Sequence, residues 1–259
     1  MKQNSKYKYK IISALSIIGF FMLWQLATDV LHIVPVHMLP SPLTIAATFV
    51  EKLSDPNPDG SVLIVHIITS LQIAAYGFLL GAVIGVPLGI FMAWYKKIDM
   101  LVKPVFDLVR TIPPIGWIPI MILWFGIGIP AKAAIVFLSA FIPCVINSYS
   151  GIKQTSPVHI WVAQTFGASN TTILGKVAIP TALPMIFTGL KLSLNSAWTT
   201  LVAAELLGAT SGLGYMMQMA RMLIRPDIIV VGMLTIGVIG ILMSAGLDYL
   251  EIRFVKGGN

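Results

Sequence analysis

The sequence predicts an all-α, polytopic membrane protein, and three observations carry that expectation. Of the 259 residues, 57% are hydrophobic and only 10% charged, with a mean hydropathy of +0.89. Soluble domains average about 25% charged residues, and a soluble chain this poor in charge would expose apolar patches and associate. Crossing the hydrocarbon takes about 20 apolar residues, and six stretches qualify: 11–31, 72–95, 107–125, 131–150, 186–207 and 228–250. Finally, the basic residues are unevenly divided between alternate loops. The length permits one transmembrane domain over 1–259 and no second sizeable soluble one.

Taken in order, Lys2, Lys6, Lys8 and Lys10 precede the first span. A basic start also suits a signal peptide, but the apolar run is too long and lacks a small-residue cleavage site, so it reads as an anchor. Segment 32–61 has Pro-rich ends around a short amphipathic helix near 42–53, with Ser41-Pro42 as N-cap and first helical position. "SDPNPDG" then breaks the chain. Apolar sequence from Val62 extends the second span, which is therefore long, tilted or begun by an interfacial turn. In that span Gly77, Gly81, Gly85 and Gly89 fall four apart, a stripe where another backbone can approach closely without a specified partner. Pro87 bends the same helix, either as a static kink or as a point of deformation. Cys144, the only cysteine, lies in the apolar fourth span and reads as packing.

The charges give an orientation. With the N-terminus cytoplasmic, the inner side holds the four N-terminal lysines, Lys96, Lys97, Lys103, Arg110, Lys153, Lys176, Lys191, Arg253 and Lys256, thirteen of seventeen basic residues. Lys52, Lys132, Arg221 and Arg225 remain outside beside five acids. Both termini are therefore expected in the cytoplasm. The same bias explains the net charge of +7 without a nucleic-acid partner.

Between the fourth and fifth spans, 151–185 is a polar, proline-punctuated cytoplasmic loop containing "WVAQTFGASNTTILGKVAIPTALP". Ser156-Pro157 starts a short helix that Gly167 stops; Ser169 and Asn170 cap a second, which Pro180 ends. Ile160, Ala163, Phe166 and Ile173 give the pair an apolar side. From the residues alone this is either a helix lying on the membrane or a knob for a partner's groove. The fifth span is the most polar: Lys191, Asn195 and Thr199 share a face, with Ser196 and Thr200 alongside. Lys191 sits where it can snorkel to lipid phosphate, and the deeper groups either bond between helices or line a polar route. Glu205, near the external end, must face protein or water.

The loop resembles a known motif. Ala163-x3-Gly167-x9-Val177-x-Ile179-Pro180 is similar to the cytoplasmic motif of ABC importer permeases, Glu-Ala-Ala-x3-Gly-x9-Ile-x-Leu-Pro. The resemblance continues in "LPSP" (39–42), "RTIPPIGWIPIMILWFGIGIPAK" (110–132) and the stretch 167–214, and covers about 39–250. On these motifs the chain resembles the nitrate/sulfonate/taurine-type permease family, of type I importer fold. It departs at Trp161 and Val162, where the motif has Glu and Ala, so the ionic part of coupling is in question while an apolar anchor at Trp161 can replace it.

The resemblance implies a bacterial inner-membrane permease that carries a small solute, two copies of it beside two separate ATPase subunits, and an extracytoplasmic solute-binding protein. It assigns ATPase docking to Ile160, Trp161, Ala163, Phe166, Gly167, Val177, Ile179 and Pro180, and places Asn195, Thr199 and Glu205 along the translocation pathway. For Glu205 a structural bond to the loop at Gly212–Gly214 is the alternative. The chain is expected to be no enzyme and to hold no cofactor, since ATP and Mg belong to the partner. "GASNTTILGK" fails as a phosphate-binding loop, with Asn170 and Val177 where Gly and Ser or Thr are needed. The four histidines are dispersed without metal-ligand spacing. A self-sufficient secondary transporter is the alternative, but neither an ion-coupling site nor internal repeats are visible. Which solute is carried is not written in the chain.

Overall fold

The computed structural model describes residues 2–35, 37–208 and 210–256; the lysine side chains at 2, 6, 8, 10 and 256 lie outside the described residues. The chain forms two compact units, Met1–His66 with Met216–Thr235, and Ile67–Tyr215 with Ile236–Asn259. Among the described residues, five helical stretches are long and apolar enough to cross a membrane, and a bent pair supplies a sixth crossing if counted as one span.

In the first unit, α1 (Lys2–Gln25) runs into a π turn, and α2 (Pro42–Lys52) follows. Ser41 caps α2 as expected, its hydroxyl accepting from the Thr44 N–H at 3.2 Å. The end of α2 is locked to the following loop by buried charge. Lys52 is 2% exposed, donates to the Asn57 and Ser61 carbonyls and pairs with Asp59, which also meets His66 Nε2 at 2.6 Å. Burial alone would raise the Asp59 pKa, but its bonds to His66 and Lys52 outweigh that and hold it below the usual carboxylate range. Thr48 of α2 donates to Asp227 at 2.9 Å, and Arg225 grips the same carboxylate through two nitrogens. The bond to Asp227 in turn raises the Arg225 pKa, against the opposing effect of burial.

The second unit is built on α3 (Leu63–Trp94), α6 (Ile129–Lys153) and α9 (Ile179–Gly208). The glycine stripe of α3 lies against α6. A Cβ at Gly77 would fall 2.5 Å from Val136 Cγ1, and one at Gly89 would fall 2.5 Å from the Val145 carbonyl oxygen. An adjoining side of α6 packs on α9 through hydroxyls: Ser139 reaches Thr200 at 2.8 Å and Ser196 at 2.7 Å, while Ser193 donates to the Ala140 carbonyl at 2.7 Å. Cys144 is buried here beside Ser193. Gly89→Ala should lower the melting temperature of the purified protein by the equivalent of roughly 1–3 kcal/mol, because a backbone oxygen cannot swing aside. Gly19→Ala, whose Cβ would meet nothing within 4 Å, serves as control. Equal melting of both variants would contradict this α3–α6 approach.

The second helix takes the long form that the apolar sequence from Val62 allows, starting at Leu63. Two other span expectations are corrected. The third span, expected as one helix over 107–125, is instead α4 (Lys96–Arg110) and α5 (Ile118–Phe125, preceded by a 3₁₀ turn), bent by 87°. Pro113 and Pro114 explain the break: neither has an N–H to donate, and each pushes its predecessor out of the α region. The Thr111 hydroxyl closes α4 by donating to the Leu108 carbonyl at 2.7 Å. The fifth span, expected to begin at 186 with Pro180 closing a separate helix, is one helical stretch from Asn170 to Leu206. A π turn at Leu174–Ala178 precedes Pro180 and absorbs its missing N–H and ring clash, so the helix continues.

Candidate functional site

The loop expected to couple folds as α7 (Pro157–Thr165) and α8 (Asn170–Ile173), the latter continuous with α9. Gly167 adopts φ +77°. Around it Ala168 N–H donates to the Ala163 carbonyl at 3.1 Å and Gly167 N–H to Gln164 at 2.9 Å, a paired closure of the helix end that needs a left-handed residue. Ser169 then caps α8, accepting from Thr172 N–H at 3.3 Å.

The apolar side of this knuckle divides in two. Ile173 is buried in the core with Leu174 and Ala178, while Ile160, Ala163, Val177 and Ile179 are half-buried. Trp161 is 63% exposed and Phe166 84%, and Val158 and Val162 are exposed with them. Positions 158, 161, 162 and 166 follow helical spacing and make one outward stripe. The sequence reading groups Ile160, Ala163, Phe166 and Ile173 as one apolar side and does not place Val158 or Val162 on it. The spacing was available as a signal, but two apolar faces on one short helix pair are indistinguishable until the core is known. Pro180 is exposed.

On α9, Asn195 and Thr199 share an exposed face, whereas Ser196 and Thr200 turn toward α6. Asn195 lines an open cavity of about 520 Å³ with Trp198, Ile236, Gly240, Ser244 and Asp248. Thr199 donates to the Asn195 carbonyl at 2.9 Å, and Ser244 of α11 (Pro226–Glu251) donates to the Asn195 side chain at 3.3 Å. Lys191 does not reach for lipid: it pairs with Asp248 and Glu251 of α11, so nearby carboxylates satisfy its charge.

Glu205 lies apart from that exposed face. It is 1% exposed and accepts from the Ser70 hydroxyl at 2.8 and 3.0 Å and from Gly214 N–H at 2.9 Å. Ser70 in turn accepts from Leu213 N–H at 2.9 Å. Buried Lys132 acts on the carboxylate electrostatically. A Cβ at Gly212 would fall 2.2 Å from Glu205 Oε1, and one at Gly214 would fall 2.7 Å from Glu205 Cβ. Glycine at both places lets the loop close on the carboxylate, and Gly212 at φ +119° also needs its conformational freedom. The carboxylate thus bonds both to Ser70 of α3 and to the loop at Gly214. Ser70 carries no sequence signal linking it to a residue 135 positions away.

Residues 85–256 match the family model described as binding-protein-dependent transport system inner membrane component. The chain is 35% identical over 234 residues to the taurine transport system permease protein of Escherichia coli, covering 89% of this chain and 83% of that one. It is 35% identical over 237 residues to a putative aliphatic sulfonates transport permease protein of Bacillus subtilis, covering 92% and 84% respectively. A solved structure of the MetNI methionine ABC transporter in inward-facing form aligns with a TM-score of 0.60 at 18% identity, over 75% of this chain and 95% of that chain. At that identity the likeness speaks for the fold alone.

Proposed function

Since the chain belongs to the binding-protein-dependent transport system inner membrane component family, we propose that it works as the permease of an ABC importer whose ATPase is a separate subunit. Two copies of the chain form the pathway, two ATPases bind on the cytoplasmic side, and an external binding protein delivers the solute. The solute is a small anion or zwitterion of the sulfonate kind, a reading supported by the relatives named for taurine and aliphatic sulfonates. This chain supplies no catalytic group and no cofactor site of its own.

The observation that carries the coupling reading is the exposed apolar stripe of Val158, Trp161 and Val162 on α7 and Phe166 at its C-cap. Such a stripe needs a covering surface, and an ATPase groove provides one. The continuity of Asn170–Leu206 then gives the coupling its mechanics. At about 1.5 Å per residue this helix is longer than the roughly 30 Å hydrocarbon core, so one rod joins the knuckle to the face bearing Asn195 and Thr199. Closure of the ATPases moves α7, the rod tilts, and the pathway changes the side to which it opens. Asn195 and Thr199 offer neutral polar groups along that face, while Glu205 keeps the outer turn folded.

Orientation is tested by labelling. Cys144 is buried and gives little background. Cysteine at the exposed Ser54 should react with an impermeant reagent in intact cells, and cysteine at the exposed Lys176 should react only after lysis. The reverse pattern would place the knuckle outside and end the coupling proposal.

A further inference from the structure

A second cavity, of about 190 Å³, lies among the ends of α3, α4 and α6, away from the pathway face. Its walls are of two kinds. Met92, Phe106, Val145 and Ile146 are apolar, whereas Lys103, Arg110, Tyr149 and Ser150 are polar, with Asp107 at the edge. We infer that this cavity holds the phosphate headgroup of an anionic phospholipid, with the start of its acyl chains against the apolar wall.

Depth is the first argument. Met92 is two residues from the end of α3 at Trp94, and Tyr149 and Ser150 are one turn from the end of α6 at Lys153. The cavity therefore sits just inside the ends of two membrane helices. Trp94, Tyr95 and Tyr149 mark the same level, where aromatic residues meet headgroups.

The shape of α4 is the second argument. From Asp99, which accepts from the Tyr149 hydroxyl at 3.3 Å, to Arg110, the helix stays beside Phe141–Ser150 of α6. Lys96, Asp99, Lys103, Asp107 and Arg110 fall on one stripe, while Leu101, Val105 and Leu108 are 64–78% exposed on the other side. A helix so divided fits with its charged stripe toward the headgroup level and its apolar side in acyl chains.

Charge is the third. Lys103 and Lys153 both extend over the Tyr149 ring, their amines 5.7 and 5.6 Å from its centroid. Asp99 holds that ring in place through its hydroxyl. Arg110 is occupied by Asp107 at 2.7 Å, but neither lysine has an ion-pair partner among the described residues. Lys103 lines the cavity and Lys153 meets the same ring from outside that lining; an ammonium group beside an apolar wall suits an anionic amphiphile better than a small free anion, which would leave the apolar wall wet. Basic clefts between helices on the cytoplasmic side are general sites for anionic headgroups.

The test titrates the purified full-length protein in detergent with phosphatidylglycerol or phosphatidylcholine and counts retained lipids by native mass spectrometry. Phosphatidylglycerol should be retained preferentially. Lys103→Gln and Lys153→Gln should each weaken its retention roughly fivefold, and Asp107→Asn should strengthen it. Both lysines are exposed, so the variants should melt as the parent does. Equal retention of the two lipids, or unchanged phosphatidylglycerol binding in the double lysine variant, would overturn the inference. So would displacement of the lipid by millimolar inorganic phosphate, which would mark the cavity as a small-anion site.

Discussion

Replacing Gly167 with valine should abolish the response of ATP hydrolysis to the loaded binding protein, while the permease still folds and reaches the membrane. The reason is local. Gly167 sits at φ +77°, and its Cβ would meet nothing within 4 Å, so space is not what forbids a side chain. Backbone strain of roughly 1–2 kcal/mol does, and it is worst for a β-branched residue. Substitution should therefore be graded, with Asn close to the parent because it tolerates the left-handed conformation, Ala intermediate and Val most damaging. Trp161→Ala and Phe166→Ala should act on the same interface by a different route. Each removes a large exposed aromatic, and losing one buried anchor at an interface costs about 2 kcal/mol or more, roughly a thirtyfold loss of docking. Co-purification of the ATPase measures docking, and uptake by proteoliposomes measures coupling. If all four damaging variants bound ATPase and transported as the parent does, α7 would be a membrane-surface helix and nothing more.

Glu205→Ala should destabilise the protein by about 3 kcal/mol, since removing the acceptor strands the buried Ser70 hydroxyl and Gly214 N–H and leaves Lys132 without its counter-charge. Thermal unfolding of the purified protein should show this as a clear drop in melting temperature. Glu205→Gln keeps one acceptor oxygen but no charge, and should fall between the parent and Ala in stability, with transport reduced in proportion. A Gln variant that melts as the parent does yet fails to transport would reassign Glu205 to direct contact with the solute. Asn195→Ala and Thr199→Ala, whose side chains lie on an exposed face, should leave melting nearly unchanged and alter solute handling.

Much of this molecule is written locally, and hydrophobicity and capping chemistry make it so. A span needs only enough consecutive apolar residues, and the cap at Ser41, the glycine stop at Gly167 and the restart at Ser169 each depend on a few neighbouring positions. The knuckle motif is legible for the same reason, its spacing being fixed by one helix turn and one bend.

What the tertiary structure decided depends on residues far apart in the chain. Pro180 reads as a stop, yet packing of Ile173, Leu174, Ala178 and Ala182 into the core and a π turn before it carry the helix through. Pro113-Pro114 lies inside a stretch apolar enough to read as one span, yet the chain bends there by 87°. Ile173 and Phe166 look alike in sequence, but one is 1% exposed and the other 84%, because only one has a core to enter. The sequence by itself determined the membrane fold, the capped elements and the two-helix knuckle that begins at Pro157. Which glycine meets which backbone, and which partners hold Glu205, only the assembled helices could decide, since a buried polar group takes the partner that packing brings to it and not the one nearest in sequence.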